Sequence, residues 1–241
     1  MSNLLTHEEY SAIANSLSFP TNAFINGQFQ SSKSGKTFET INPATGNVIA
    51  KVAACNADDV DHAVIKAREV FDQGHWSKLH PSERKKVLIK FSKLIQRNLN
   101  ELAVMESVDS GKPVRDCATI DLPETIDCLL WHAEAIDKIY DQTAPAGEDA
   151  LSVIVREPVG VVGCVLPWNF PLLMMAWKIA PALATGNSVI VKPAEQTSLT
   201  ALRLAELAID AGLPRGVLNV IPGMGPDVGE PIGLHADIDM V

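Results

Sequence analysis

The chain has 241 residues, 46% of them hydrophobic and 20% charged, with a formal net charge of −9; this is the composition of a globular protein with room for one large core or two domains, and it excludes a disordered or fibrous chain. The acidic balance and the dispersal of the lysines argue against a protein that tracks nucleic-acid phosphates and favour small-molecule chemistry. Cys55, Cys117, Cys128 and Cys164 show no CxxC spacing and no histidine within three residues, which points to reduced, mostly buried thiols in a cytoplasmic protein and away from zinc or disulfides.

The N-terminus carries Thr6, His7, Glu8 and Glu9 where a secretory signal would have a basic and then an apolar run. From Ala23 to Gln30 two short strands are predicted around Asn26-Gly27, the strongest short hairpin signal. A second strand pair, Thr37 to Ile41 and Val48 to Ala53, flanks Asn42-Pro43-Ala44-Thr45-Gly46. Val60, Ala63, Val64, Ala67, Val70 and Phe71 fall on one helical face that stops at Gly74. Pro81 opens the next helix, whose stripe of Val87, Leu88, Phe91, Leu94, Ile95, Leu102 and Met105 runs without a break towards Gly111-Lys112-Pro113. A third helical pattern spans Thr125 to Tyr140.

Residues 142–148 read as a loop and Leu151 to Val155 as an exposed or half-covered strand. From Val159 the pattern is strand, helix, strand, helix, strand, helix and the start of another strand, the signature of a parallel sheet covered by helices. Pro167, Asn169 and Lys178 interrupt the longest apolar regions, so none reaches the roughly 18 to 20 residues of a membrane span.

Four features fall at or near C-terminal strand ends, where open α/β sheets bind ligands. The first is Val165-Leu166-Pro167-Trp168-Asn169-Phe170-Pro171, which holds a rigid amide between two prolines and is suited to stabilising an oxyanion; the alternative is a turn whose Asn bonds its own backbone. The second is Lys192-Pro193-Ala194-Glu195. Its carboxylate could take both hydroxyls of a ribose and repel a 2′-phosphate, and its alternative is an exposed loop ion pair. The third is Gly223-Met224-Gly225-Pro226-Asp227-Val228-Gly229, whose last Gly comes one residue later than in G-x-G-x-x-G. It lets backbone approach a ligand or is a plain glycine-rich loop. The fourth is Phe170, Met174 and Trp177, which share a helical face that is either an apolar substrate channel or core. Cys164 lies inside the buried strand and reads as core.

In this order, Phe24-Ile25-Asn26-Gly27, Ile41 to Gly46, Asp109-Ser110-Gly111-Lys112-Pro113, Arg156 to Gly160, Pro167 to Pro171, Lys192 to Glu195, Gly212-Leu213-Pro214 and Gly216 to Val220 resemble the N-terminal half of an aldehyde dehydrogenase. Ala133 to Lys138 is similar to members acting on γ-glutamyl-γ-aminobutyraldehyde and related amino aldehydes. The resemblance implies an α/β fold: a Rossmann-like open parallel sheet with helices on both faces, truncated, with N-terminal β-hairpins and a segment of an oligomerisation strand. It divides the chain into 1–141, hairpins and helices of the NAD-binding domain; 142–157, the oligomerisation segment; and 158–241, the incomplete cofactor-binding part.

It further implies NAD as cofactor, an aldehyde as substrate, a homo-oligomer for the full-length protein, and neither nucleic-acid nor membrane partners. Asn169 would donate to the oxyanion. Val165, Leu166, Pro167, Trp168, Asn169, Lys192, Glu195, Gly225, Pro226 and Gly229 would contact the cofactor, and Phe170, Met174 and Trp177 the aldehyde channel. Positions matching Ile41, Asp109 and Gln196 would hold a structural monovalent cation. The family's glutamate base and cysteine nucleophile belong to a catalytic half that would follow Val241, so the 241 residues alone are expected to be inactive. The competing reading is a non-catalytic nucleotide-binding or interaction module, and a third is a fragment without an independent role.

Overall fold

The computed structural model describes residues 4–241. Helix α1 (His7–Ser16) precedes the hairpin of β1 (Ala23–Ile25) and β2 (Gln28–Gln30), then β3 (Thr37–Ile41) and β4 (Val48–Ala53) form a separate two-stranded ribbon. Helix α1 is absent from the sequence reading, although its signal is there: the Thr6 hydroxyl accepts from the Glu9 N–H and the Glu9 carboxylate accepts from the Thr6 N–H, a reciprocal capping box. The hairpin is as expected, because Asn26 and Gly27 take φ of 52° and 72°, the left-handed pair that a two-residue turn of matching twist requires.

Helix α2 (Ala57–Gln73) ends at Gly74 in the left-handed region. The stripe after Pro81 is two helices, α3 (Pro81–Arg97) and α4 (Leu99–Ser110), and not one. The apolar period survives the break at Asn98, so periodicity alone cannot reveal it, whereas Asn98 reaches back to cap the Leu94 carbonyl at 2.8 Å. The third helical region starts earlier than expected: α5 (Val114–Asp116) passes through a π-helical turn (Cys117–Asp121) into α6 (Leu122–Ala135) and a 3-10 turn ending at Lys138. Pro123 falls in the first turn of α6, where proline is tolerated, so it does not interrupt the helical run that begins before it. Part of the expected loop at 142–148 is a strand: β5 (Gln142–Ala144) pairs with β6 (Ser152–Ile154) in a ribbon.

The main sheet runs β2-β1-β9-β8-β7, built from β7 (Val161–Val165), β8 (Ser188–Lys192) and β9 (Leu218–Val220) in parallel, with β1 antiparallel to β9. The N-terminal hairpin therefore extends the sheet, tied by the Asn26 N–H to Asn219 Oδ1 at 2.9 Å. Helices α7 (Pro171–Ala184) and α8 (Leu199–Ala211) make the crossovers and pack one face; α2 packs the other. Val189 and Val191 of β8 face the core with α7 and α8, while Ile190 faces that of α2. Two apolar faces explain why the strand reads as an unbroken hydrophobic run. After β9 a π-helical turn (Gly225–Gly229) leads into α9 (Glu230–Leu234), and Met240 bridges Val162 in parallel, the start of the further strand. No helix among the described residues is long and apolar enough to cross a membrane.

Candidate active site at the strand ends

Strands β7 and β8 end in register, with Val165 opposite Lys192, and the Leu166 N–H continues the ladder to the Lys192 carbonyl at 3.0 Å. The chain then leaves the sheet. Pro167, Trp168 and Asn169 are exposed, Phe170 is half-buried and Pro171 occupies the first turn of α7. The Asn169 amide therefore stands in solvent beyond β7, the last strand of the sheet, with no bond to its own backbone, as its alternative reading would need.

Lys192 is 2% exposed, and its Nζ donates to the Pro193 carbonyl and to Glu195 Oε2, both at 3.0 Å. The pair is thus seated in the sheet end and is not a surface loop contact. Burial pushes the Glu195 carboxyl up, but its own backbone N–H, the Lys192 ammonium and Gln196 outweigh this and hold it below the usual carboxylate range. A Cβ on Gly229 would meet Lys192 Cδ at 3.6 Å and Val165 Cγ1 at 3.9 Å, whereas one on Gly225 would meet nothing. The π-helical turn thus lies within van der Waals reach of the strand ends at Gly229 and leaves open space beside Gly225. Pro226 is exposed on the same turn.

A cleft of about 430 Å³ adjoins this edge, and Trp168, Glu195, Gln196, Ile41, Asp109 and Met224 are among its lining residues. The structure thus brings Ile41, Asp109 and Gln196 together from three distant segments. Asp109 is 2% exposed and accepts from Thr40 Oγ1 at 2.9 Å and the Leu199 N–H at 3.1 Å. Burial pushes its carboxyl up to about 6 against those two hydrogen bonds. Thr40 and Met224 were not singled out in the sequence; Thr40 lies in an alternating strand whose buried positions are hydroxyl or apolar alike.

Phe170, Met174 and Trp177 follow one another on a face of α7, yet Trp177 belongs to a different groove, of about 590 Å³, along β7 with Cys164, Val165 and Met240. Cys164 is 6% exposed and part of the core, and burial pushes its thiol up to about 12. Cys117 is likewise pushed up to about 12, and burial also raises Cys55 and Cys128. Thiolates, the reactive form, are disfavoured at all four.

Residues 29–241 match the model of the aldehyde dehydrogenase family. An aminoacetaldehyde dehydrogenase of Pseudomonas aeruginosa is 61% identical over the whole chain, which covers 49% of that protein. An NADP/NAD-dependent aldehyde dehydrogenase of Escherichia coli is 46% identical over 94% of the chain and 46% of its own length. Among solved structures, an indole-3-acetaldehyde dehydrogenase complexed with NAD+ superposes with a TM-score of 0.96 at 48% identity, covering 98% of this chain and 48% of the other. The chain spans about half the length of the relatives it matches. It belongs to the aldehyde dehydrogenase family.

Proposed function

We propose that the chain supplies the dinucleotide site and the oxyanion donor of an enzyme that oxidises an aldehyde to a carboxylic acid. The observation that carries this reading is the convergence of Val165, Lys192, Glu195 and Gly229 at the ends of parallel strands, where the turn with the exposed Asn169 leaves β7, the edge at which open α/β sheets bind nucleotides. A dinucleotide fits the donor set. Gly225 and Gly229 leave room for close approach, and Glu195 uses one oxygen on Lys192 and keeps the other for hydroxyls. NAD, when bound, supplies the hydride acceptor.

The residues of this chain then have distinct tasks. Glu195, held ionised by its own backbone N–H and by Lys192, accepts the hydroxyls of the adenosine ribose and opposes a 2′-phosphate. Leu166, Pro167 and Trp168 flank the cofactor, with Gly225, Pro226 and Gly229 along its adenosine end. Asn169 offers an uncharged N–H donor where negative charge develops on the aldehyde oxygen, and the turn that carries it is closed by two prolines. Phe170 and Met174 face the aldehyde channel, and Trp177 extends the same face of α7 towards the groove along β7. The similarity to an aminoacetaldehyde dehydrogenase supports an amino aldehyde as substrate. A monovalent cation fits beside Ile41, Asp109 and Gln196, where the nearly buried Asp109 oxygens each accept one hydrogen bond and retain a free lone pair. The exposed ribbon of β5 and β6, with Leu151, Val153 and Ile154 all on the surface, is the oligomerisation segment of a cytoplasmic enzyme.

The test joins this chain to the C-terminal half of the Pseudomonas aeruginosa relative and measures NADH formation from aminoacetaldehyde and aliphatic aldehydes. Turnover that depends on Asn169 is expected. A folded joined protein that binds NAD without turnover would favour the non-catalytic module.

A further inference from the structure

Against the Pro167–Pro171 turn lies a cluster of titratable side chains, the half-buried Lys112 with the buried Asp121 and Glu106, that the proposed chemistry does not use. Lys112, in the loop after α4, places Nζ 3.6 Å from the centre of the Phe170 ring. The same ammonium is paired with Asp121 of the π-helical turn, whose side chain is 1% exposed. Glu106, on α4, is fully buried, and the backbone N–H of Leu172 in the first turn of α7 faces its carboxyl. A cation largely withdrawn from water is attracted to an aromatic face more strongly than one at the surface, and its pairing with a buried carboxylate keeps it there.

The turn above needs such support. The Leu166 N–H is bound to the Lys192 carbonyl, and the next backbone bond beyond it is from the Met174 N–H to the Phe170 carbonyl at 2.9 Å. Between them, Trp168 and Asn169 make no hydrogen bond among the described residues. Helix α7 has no side-chain cap at Phe170 and begins with a proline, which has no N–H to offer. Buried Leu166 and Pro171 flank the turn, and within it the half-buried Phe170 is the residue whose ring meets a charged group beneath, the Lys112 ammonium.

We propose that Lys112 is a positioning residue: clamped by Asp121, it seats the Phe170 ring and so fixes the turn that presents the Asn169 amide. This rests on the reading of Asn169 as the oxyanion donor, but its test does not require turnover. In the 241-residue chain, 15N relaxation of the Asn169 backbone N–H is expected to report rigid backbone, with an order parameter of about 0.85, and Lys112→Met to lower it below about 0.6. Lys112→Arg, which keeps both the charge and the stacking, is expected to preserve it. Because Lys112→Met strands Asp121 in the interior, Lys112→Met/Asp121→Asn removes both charges and is expected to loosen the turn in a folded protein. The Asn219 side-chain amide, bonded to the Gly216 carbonyl at 2.7 Å within the sheet, is the control and should not change.

An Asn169 that stays rigid in the folded charge-free variant, or that Lys112→Arg loosens as much as Lys112→Met, would overturn the proposal. Turnover of the joined enzyme separates the two readings. A loosened turn with kcat lowered tenfold or more and KM for NAD unchanged supports both; a loosened turn with unchanged kcat supports the positioning and removes Asn169 from catalysis.

Discussion

At the scale of single residues, Asn169 and Glu195 carry the sharpest consequences. An oxyanion donor acts on charge that exists only in the transition state, so Asn169→Ala in the joined enzyme is expected to lower kcat by about a hundredfold to a thousandfold while NAD affinity changes little; calorimetry beside steady-state kinetics checks both. In the proposed dinucleotide site Glu195 carries its charge where a 2′-phosphate would sit, so Glu195→Gln is expected to narrow the preference for NAD over NADP in coenzyme titrations. A preference left untouched would remove that role from the carboxylate. Glu106 shows a different residue-scale effect. Burial first, then the charge of Asp121, push its carboxyl up to about 8 against the opposing Lys112 ammonium, with Asp109 adding to the rise. The folded state then holds a proton that the unfolded state releases from about pH 4.5, so stability falls as pH rises from about 4.5 to about 8 and levels off above. Each tenfold difference in proton affinity between the folded and unfolded states corresponds to about 1.4 kcal/mol, so the fall is of the order of a few kcal/mol. Glu106→Gln cannot titrate and is expected to flatten that part of the stability profile, as measured by urea unfolding at successive pH values. The sequence marked Asp109 to Pro113 as a landmark yet assigned no task to Lys112, Glu106 or Asp121. Their partners lie on other elements, and no spacing along the chain encodes a lysine under a phenylalanine that belongs to a later helix.

Among the elements, the meeting of the π-helical turn with the ends of β7 and β8 sets, in the proposed site, how closely the cofactor approaches. A Cβ at Gly229 makes ordinary contacts with Lys192 and Val165, so Gly229→Ala is expected to fold and bind nearly as the parent does. Gly229→Val adds branches to the same space and is expected to weaken NAD binding by tenfold or more in the joined enzyme, read by calorimetry, with little change in Tm. Equal binding by both variants would show that this turn does not border the cofactor. Elements whose signal is local were legible: the Asn26-Gly27 hairpin, the stop at Gly74, the strands flanking residues 42–46 and the three parallel strands. The capping box at Thr6 and Glu9 was equally local and went unused. The break at Asn98 and the strand at Gln142–Ala144 are different in kind. The apolar stripe continues across the first, and the second is short, exposed and a strand only because β6 lies beside it.

For the whole molecule, the 241 residues by themselves are expected to form no NADH from aldehydes. All four thiols are raised by burial, and an oxyanion donor acts only after a nucleophile has attacked. NADH production that Cys164→Ser abolishes would overturn both this expectation and the placement of Cys164 in the core. The fold class, the ordered motifs of the family and the position of Asn169 just past a strand were legible along the chain, because turn chemistry, helix punctuation and buried β-branched runs act over a few neighbouring residues. The tertiary structure alone decided that the N-terminal hairpin joins the parallel strands, that Ile41, Asp109 and Gln196 share one cleft with Glu195, and that Lys112 lies under Phe170. These juxtapositions bring together segments far apart along the chain, and they are fixed by which faces of the sheet and helices must be buried against one another, a constraint that becomes definite only when the whole core is packed.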